Sequence, residues 1–133
     1  MSWQAYIDRL AQSGVEKAAI YGKNGAVWGT SPNFSPSPDE VAVIVDAVCH
    51  NDQSIFTTGV RLGGKQWTVI RMEKESDMLI LKGKDQETCK QNMICAASNT
   101  ALIMGANMDE KVQAGNVRVA VEGLRDYLKT NQY

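Results

Sequence analysis

The stretch Ala18-Ala19-Ile20-Tyr21-Gly22-Lys23-Asn24-Gly25-Ala26-Val27-Trp28-Gly29 sets an Asn-Gly pair between two short apolar runs. It reads as a tight β-hairpin, because both central residues of a type I′ turn need positive φ. Upstream, Trp3, Tyr6, Ile7 and Leu10 recur at the spacing of one helix face, with Ser2 as its cap and Gly14 as its end. Downstream, a loop rich in Ser and Pro runs into Ser37-Pro38-Asp39-Glu40. Ser at the cap, Pro at the first helical position and Glu at the third form a capping box. The helix it starts buries Val41, Ile44, Val45 and Val48 and stops near Cys49 to Asp52.

A run of strands follows. Ile55 to Leu62 and Lys65 to Met72 flank Gly63-Gly64, a second tight hairpin, and the charged run Glu73 to Asp77 is a solvated turn. Met78 to Lys82 is a short strand, and Glu87 to Ala97 with Thr100 to Ala106 makes a last hairpin joined at Ser98-Asn99, with weak alternation. Val117, Ala120, Val121, Leu124 and Leu128 return to helical spacing, with Asn116 as the cap after Gly115. Helix, hairpin, helix, antiparallel strands and helix define an α+β domain with a central antiparallel sheet and helices on its faces.

Length and charge bound the function. A chain of 133 residues is one domain's worth and buries roughly two-thirds of its unfolded surface, so it needs neither disulfides nor metal to hold a core. With 14 Lys and Arg against 15 Asp and Glu, the net charge is -1, without the basic excess of a nucleic-acid binder. No apolar run approaches about 18 residues, and no signal-peptide pattern opens the chain. Cys49, Cys89 and Cys95 lack metal spacing and suit free thiols in a reducing cytosol. Metal and cofactor are therefore not expected.

Catalysis has little support. The single histidine, His50, adjoins Cys49 at a helix end, and neighbours on a helix diverge too far to act as nucleophile and base. Cys89 and Cys95 stand six residues apart at about 3.3 Å each, too far for a disulfide, and read as small buried hydrophobes. The glycines follow no phosphate-loop pattern. No catalytic residue is assigned.

The aromatic residues are different. Trp3 and Tyr6 share a face of the first helix, Tyr127 lies in the last helix and Tyr133 closes the sequence. A Trp-Tyr stripe at helical spacing is core by default, but Ile7, Leu10, Leu124 and Leu128 already fill that role. Gathered with Trp28 on a surface, such rings dock polyproline II segments, which are already extended and lose little entropy on binding.

In order and spacing, Ser2 to Asp8, Ala18 to Gly22 before Trp28, Gly59 to Gly64 before Thr68-Val69-Ile70-Arg71, Thr100 to Gly105, and Leu124 to Leu128 before Tyr133 resemble the profilin family over essentially the whole chain. The resemblance implies a sheet of about six to seven strands, with the N- and C-terminal helices on one face and smaller helical elements on the other. It implies a cytoplasmic, cytoskeletal protein that binds monomeric actin and the proline-rich segments of formins and related factors, and that promotes nucleotide exchange on actin. By position, the poly-proline groove is Trp3, Tyr6, Trp28, Tyr127, Leu128 and Tyr133. Tyr127 stands where many animal profilins have histidine, which keeps stacking without pH dependence.

The actin face, by the same positions, is Phe56, Thr57, Thr68, Val69, Arg71, Lys82, Val112, Gly115, Arg118, Val119 and Glu122. On the last helix, Arg118, Glu122 and Arg125 are expected opposite Val117, Val121 and Leu124, as a free charged face. Phosphoinositide headgroups are a further partner implied by the family, with Arg71, Lys82, Lys84, Arg118, Arg125 and Lys129 as basic candidates. A departure from the family falls after Lys82-Gly83-Lys84, where Asp85-Gln86-Glu87 replaces the usual basic, glycine-rich stretch. Two other classes stand beside this reading: an α+β scaffold that binds proline-rich peptides without actin, and an enzyme using an exposed thiol of low pKa.

Overall fold

The computed structural model describes residues 3–12, 15, 17–31, 36–50, 54–62, 65–73, 77–83, 92–106 and 114–131. Their elements are α1 (Trp3–Gln12), β1 (Lys17–Gly22), β2 (Val27–Thr30), α2 (Pro38–His50), α3 (Ile55–Thr58), β3 (Val60–Leu62), β4 (Lys65–Glu73), β5 (Met78–Gly83), β6 (Asn92–Ala97), β7 (Ala101–Ala106) and α4 (Ala114–Thr130). The strands form one seven-stranded antiparallel sheet in the order β2-β1-β7-β6-β5-β4-β3. The first and last strands thus pair with each other, second and third from the β2 edge.

Each face of the sheet has its own core. On one side α1 and α4 bury Tyr6, Ile7, Leu10, Val117, Val121 and Leu128 against Ile20, Met78, Ile94 and Ile103. On the other, α2 and α3 bury Val41, Ile44, Val48 and Ile55 against Tyr21, Trp67, Leu79, Leu81 and Met104. This double cover explains the weak alternation of the last hairpin: every residue of β7, and all but the first of β6, is buried. A strand covered on both faces has no polar side to alternate with.

Several local signals act as expected. The Ser37 N–H donates to Glu40 Oε1 at 2.8 Å, and the Glu40 N–H donates to Ser37 Oγ at 3.2 Å, which is the reciprocal capping box of α2. The Leu62–Lys65 pairing leaves a two-residue connection at 63–64.

Others are corrected. The first hairpin is not a type I′ turn, since Gly25 has φ of 91° and Asn24 is not in the positive region. The Gly25 N–H donates to the Gly22 carbonyl, the Gly22 N–H to the Ala26 carbonyl, and Asn24 Oδ1 accepts from the Ala26 N–H. This is a three-residue loop closed by a left-handed glycine, the other common hairpin solution. The expected strand from Ile55 is a helical turn instead, with the Ser54 carbonyl accepting from the Thr57 and Thr58 N–H groups. Gly59, at φ 71°, then turns the chain into β3. α4 begins at Ala114, so Asn116 lies inside the helix rather than capping it. The last turn centres on Asn99 and Thr100, one residue later than expected, since Ser98 N–H donates to the Ala101 carbonyl. The expected roles of Ser2, Gly14, Asp52, Gly63, Gly64 and Glu87 to Gln91 lie outside the described residues.

Two candidate interaction surfaces on the terminal helices

Four aromatic rings form a continuous strip. Trp28 stacks on Trp3 with centroids 4.6 Å apart, Trp3 lies 5.5 Å from Tyr6, and Tyr6 lies 6.0 Å from Tyr127. Three elements supply them: β2, α1 and α4. A bulge aims Trp28. Along β2, Gly29 pairs with Ile20 and Val27 with Tyr21, so Trp28 is an extra residue without a partner on β1. In a regular strand Trp28 and Gly29 would point to opposite faces. Here Trp28 rests on Trp3, and a Cβ placed on Gly29 would meet Ile7 and Trp3 at 3.3–3.4 Å, so both turn toward α1. Trp3 and Trp28 are half-buried, Tyr6 is buried and Tyr127 is 43% exposed. Leu128 is buried beneath the strip at 1% exposure. Tyr133 lies outside the described residues.

A second surface lies where α4 meets the end of β4 through Arg118 and Glu73. Another bulge creates it: Val69 pairs with Leu81 and Arg71 with Ile80, leaving Ile70 as the extra residue. Trp67, Val69 and Met72 therefore face the α2 core, while Thr68, Ile70 and Arg71 are exposed. Without the bulge, strict alternation would send Arg71 inward with Val69. Glu73 is held by Arg118 of α4 at 2.6 Å and lies 3.5 Å from Arg71, and Arg118 also pairs with Glu122 at 3.6 Å. Thr68 and Lys82 pair across β4 and β5, both exposed.

The remaining positions expected on the actin face are scattered around these. Phe56, 43% exposed, and Thr57 sit on α3, on a helical turn rather than a strand. The Val69 side chain is buried on the opposite face of the sheet. Gly115 lies in the first turn of α4, and Val112 lies outside the described residues. Val119 is 72% exposed and borders α1 rather than the outer strands.

Arg125 is not on a free charged face. It is 4% exposed, in the same stripe as Val117, Val121 and Leu128, because residues four and three apart stack on one helix side. Its guanidinium pairs with Asp126 at 2.7 Å and Glu122 at 3.8 Å, and donates to the Ala97 carbonyl at the end of β6. A buried stem with paired nitrogens satisfies the burial cost of the charge. Arg125 is thus removed from the basic candidates for a headgroup, and Lys84 lies outside the described residues. The sequence reading missed Glu73, assigned to a solvated turn. Its ion pair with Arg118, a residue distant in sequence, brings it to α4.

Cys95 is fully buried and its burial pushes the thiol pKa well above the ordinary range. Among the described residues, no group of three or more His, Cys, Asp or Glu could hold a metal ion, and no helix is long and apolar enough to cross a membrane. A thiol reagent at neutral pH is expected to leave the Cys95 peptide unmodified in the native protein and to label it in denaturant. Rapid native labelling, read by peptide mass mapping, would contradict this burial.

A small α+β protein with an aromatic strip across its terminal helices and an ion-paired helix edge beside open strands is built for non-covalent docking. The profilin family model matches residues 1–133, and the chain belongs to the profilin family, whose members are non-enzymatic actin-binding proteins. A relative, profilin of Saccharomyces cerevisiae, is 36% identical over 135 residues, covering 100% of both chains. The crystal structure of Acanthamoeba castellanii profilin II matches with a TM-score of 0.84 at 30% identity, over 99% of this chain and 100% of that one. Mouse profilin IIa in complex with a double repeat from the FH1 domain of mDia1 matches with a TM-score of 0.83 at 25% identity, over 100% of both chains.

Proposed function

We propose that this chain is a two-sided adaptor, which binds monomeric actin on the α4–outer-strand surface and a proline-rich segment of a formin or related factor on the aromatic strip. The continuous ladder from Trp28 to Tyr127 is the observation that carries this reading. Successive flat rings match the pyrrolidine faces of a polyproline II helix, while Trp N–H and Tyr O–H groups can meet its free carbonyls. Leu128 acts from below, as support for the strip.

On the other surface, Arg71 and Arg118 are preset by their shared pairing with Glu73, and Glu122 by its pairing with Arg118, while exposed Thr68, Lys82 and Phe56 extend the contact. Preset side chains lose less entropy when a partner arrives. α4 carries groups of both surfaces, so one domain over 1–133 delivers an actin monomer to a proline-rich factor. Faster nucleotide exchange on actin follows if the opened cleft of actin is bound more tightly than the closed one. Exposed Arg71 and Lys82 also offer contacts to phosphoinositide headgroups, in competition with actin. The protein acts in this reading at the cytoplasmic actin cytoskeleton.

Beads carrying poly-L-proline test both surfaces at once. The protein is expected to bind the beads and to retain monomeric actin on them. Arg118→Glu places a third carboxylate beside Glu73 and Glu122, and is expected to lower actin retention at least about tenfold with bead binding unchanged. Unchanged actin retention by this variant would place the actin contact elsewhere. Bead binding without any actin retention by the unaltered protein would leave a proline-binding scaffold.

A further inference from the structure

Beyond Tyr6 and Tyr127 the strip opens into a groove between α1 and α4 with a volume of about 370 Å³. Leu10, Ala120 and Leu124 line it, with Arg9 and Val119 at its rim and Gly123 contributing no side chain. A Cβ built on Gly123 would meet nothing within 4 Å, so this stretch of the α4 surface is open. We propose that the groove receives an aromatic side chain flanking the proline tract of the bound partner, an inference that rests on the proline-binding role of the strip.

Continuity and shape argue for this occupant. Tyr6 and Tyr127 belong both to the ring ladder and to the groove wall, so a chain leaving the strip at that end passes directly over the groove. The ring-to-ring steps of 4.6–6.0 Å each span one to two residues of a polyproline II helix rising ~3.1 Å per residue. The first or second residue beyond the last stacked proline therefore reaches the opening. The volume is large enough to admit a ring. Ala120 and Gly123 leave a low, flat floor, two tyrosine rings form one end, and the Arg9 guanidinium adds a cation at the rim.

The test compares decaproline with decaproline extended at either end by Gly-Phe or by Gly-Leu, by titration calorimetry. Phe at one end is expected to tighten binding about three- to tenfold, with a smaller gain from Leu. Gly123→Leu fills the groove from a helical position that favours leucine over glycine, so the variant folds. It is expected to erase the Phe gain and to leave decaproline affinity unchanged. No gain from Phe at either end, an equal gain from Leu, or a gain that survives Gly123→Leu would each overturn the groove assignment while decaproline still binds. Failure of decaproline itself to bind would overturn the strip, and the groove reading with it.

Discussion

Trp3→Ala is expected to weaken poly-L-proline binding by about 1–2 kcal/mol, roughly five- to thirtyfold, with affinity for monomeric actin unchanged. Trp3 is the central link of the ring ladder, stacked on Trp28 at one side and Tyr6 at the other. Its removal breaks one continuous stacking surface into two short pieces, and a polyproline helix spanning both then loses contact in the middle. The ring is half-buried, so part of the loss falls on packing of α1 over Gly29. Calorimetry is the appropriate readout, because the substitution also changes the intrinsic fluorescence. A parallel loss of actin binding would indicate unfolding of α1 and not a missing contact, and Trp3→Phe, which keeps a ring, is expected to recover most of the affinity.

The second large effect concerns stability. Gly105 faces α4 from the centre of the sheet, where an added Cβ would lie 2.6 Å from Val121 Cγ2 and 2.9 Å from Val15 Cγ1. Both contacts are with β-branched side chains, which have little rotamer freedom to yield. Gly105→Val is therefore expected to cost about 3 kcal/mol, through overpacking that forces α4 away from the sheet. In a chain of this size that lowers the melting temperature by roughly 10 °C, measured by circular dichroism. Because α4 carries both Tyr127 and Arg118, proline and actin binding are expected to fall together in this variant, unlike in Trp3→Ala. A loss below about 1 kcal/mol would mean that α4 can ride higher over the sheet at little cost.

Much of the architecture is legible locally. The α2 capping box is written in Ser37 and Glu40, and both of its hydrogen bonds form. The buried faces of α1 and α2 follow from spacing alone, because a helix exposes every residue to a fixed side set by its own geometry. The resemblance also names the rings of the strip before any coordinates do. Legibility fails where one residue's direction depends on a neighbouring strand. At Ile55 a period-two reading is natural, yet Ser54 and Gly59 close a helical turn there.

The last helix shows the division most clearly. Its amphipathic pattern establishes that a stripe through Val117, Val121 and Leu128 faces a core, since apolar burial at helical spacing is a property of the chain itself. That Arg125 belongs to the stripe is decided by tertiary structure, because the Ala97 carbonyl at the end of β6 meets its charge there together with the carboxylates of Glu122 and Asp126. The bulges at Trp28 and Ile70 are of the same kind. The amino-acid order specifies which side chains avoid water. Pairing between strands distant in sequence decides which face Trp28 and Arg71 occupy, since a shift of one residue reverses the direction of every side chain beyond it.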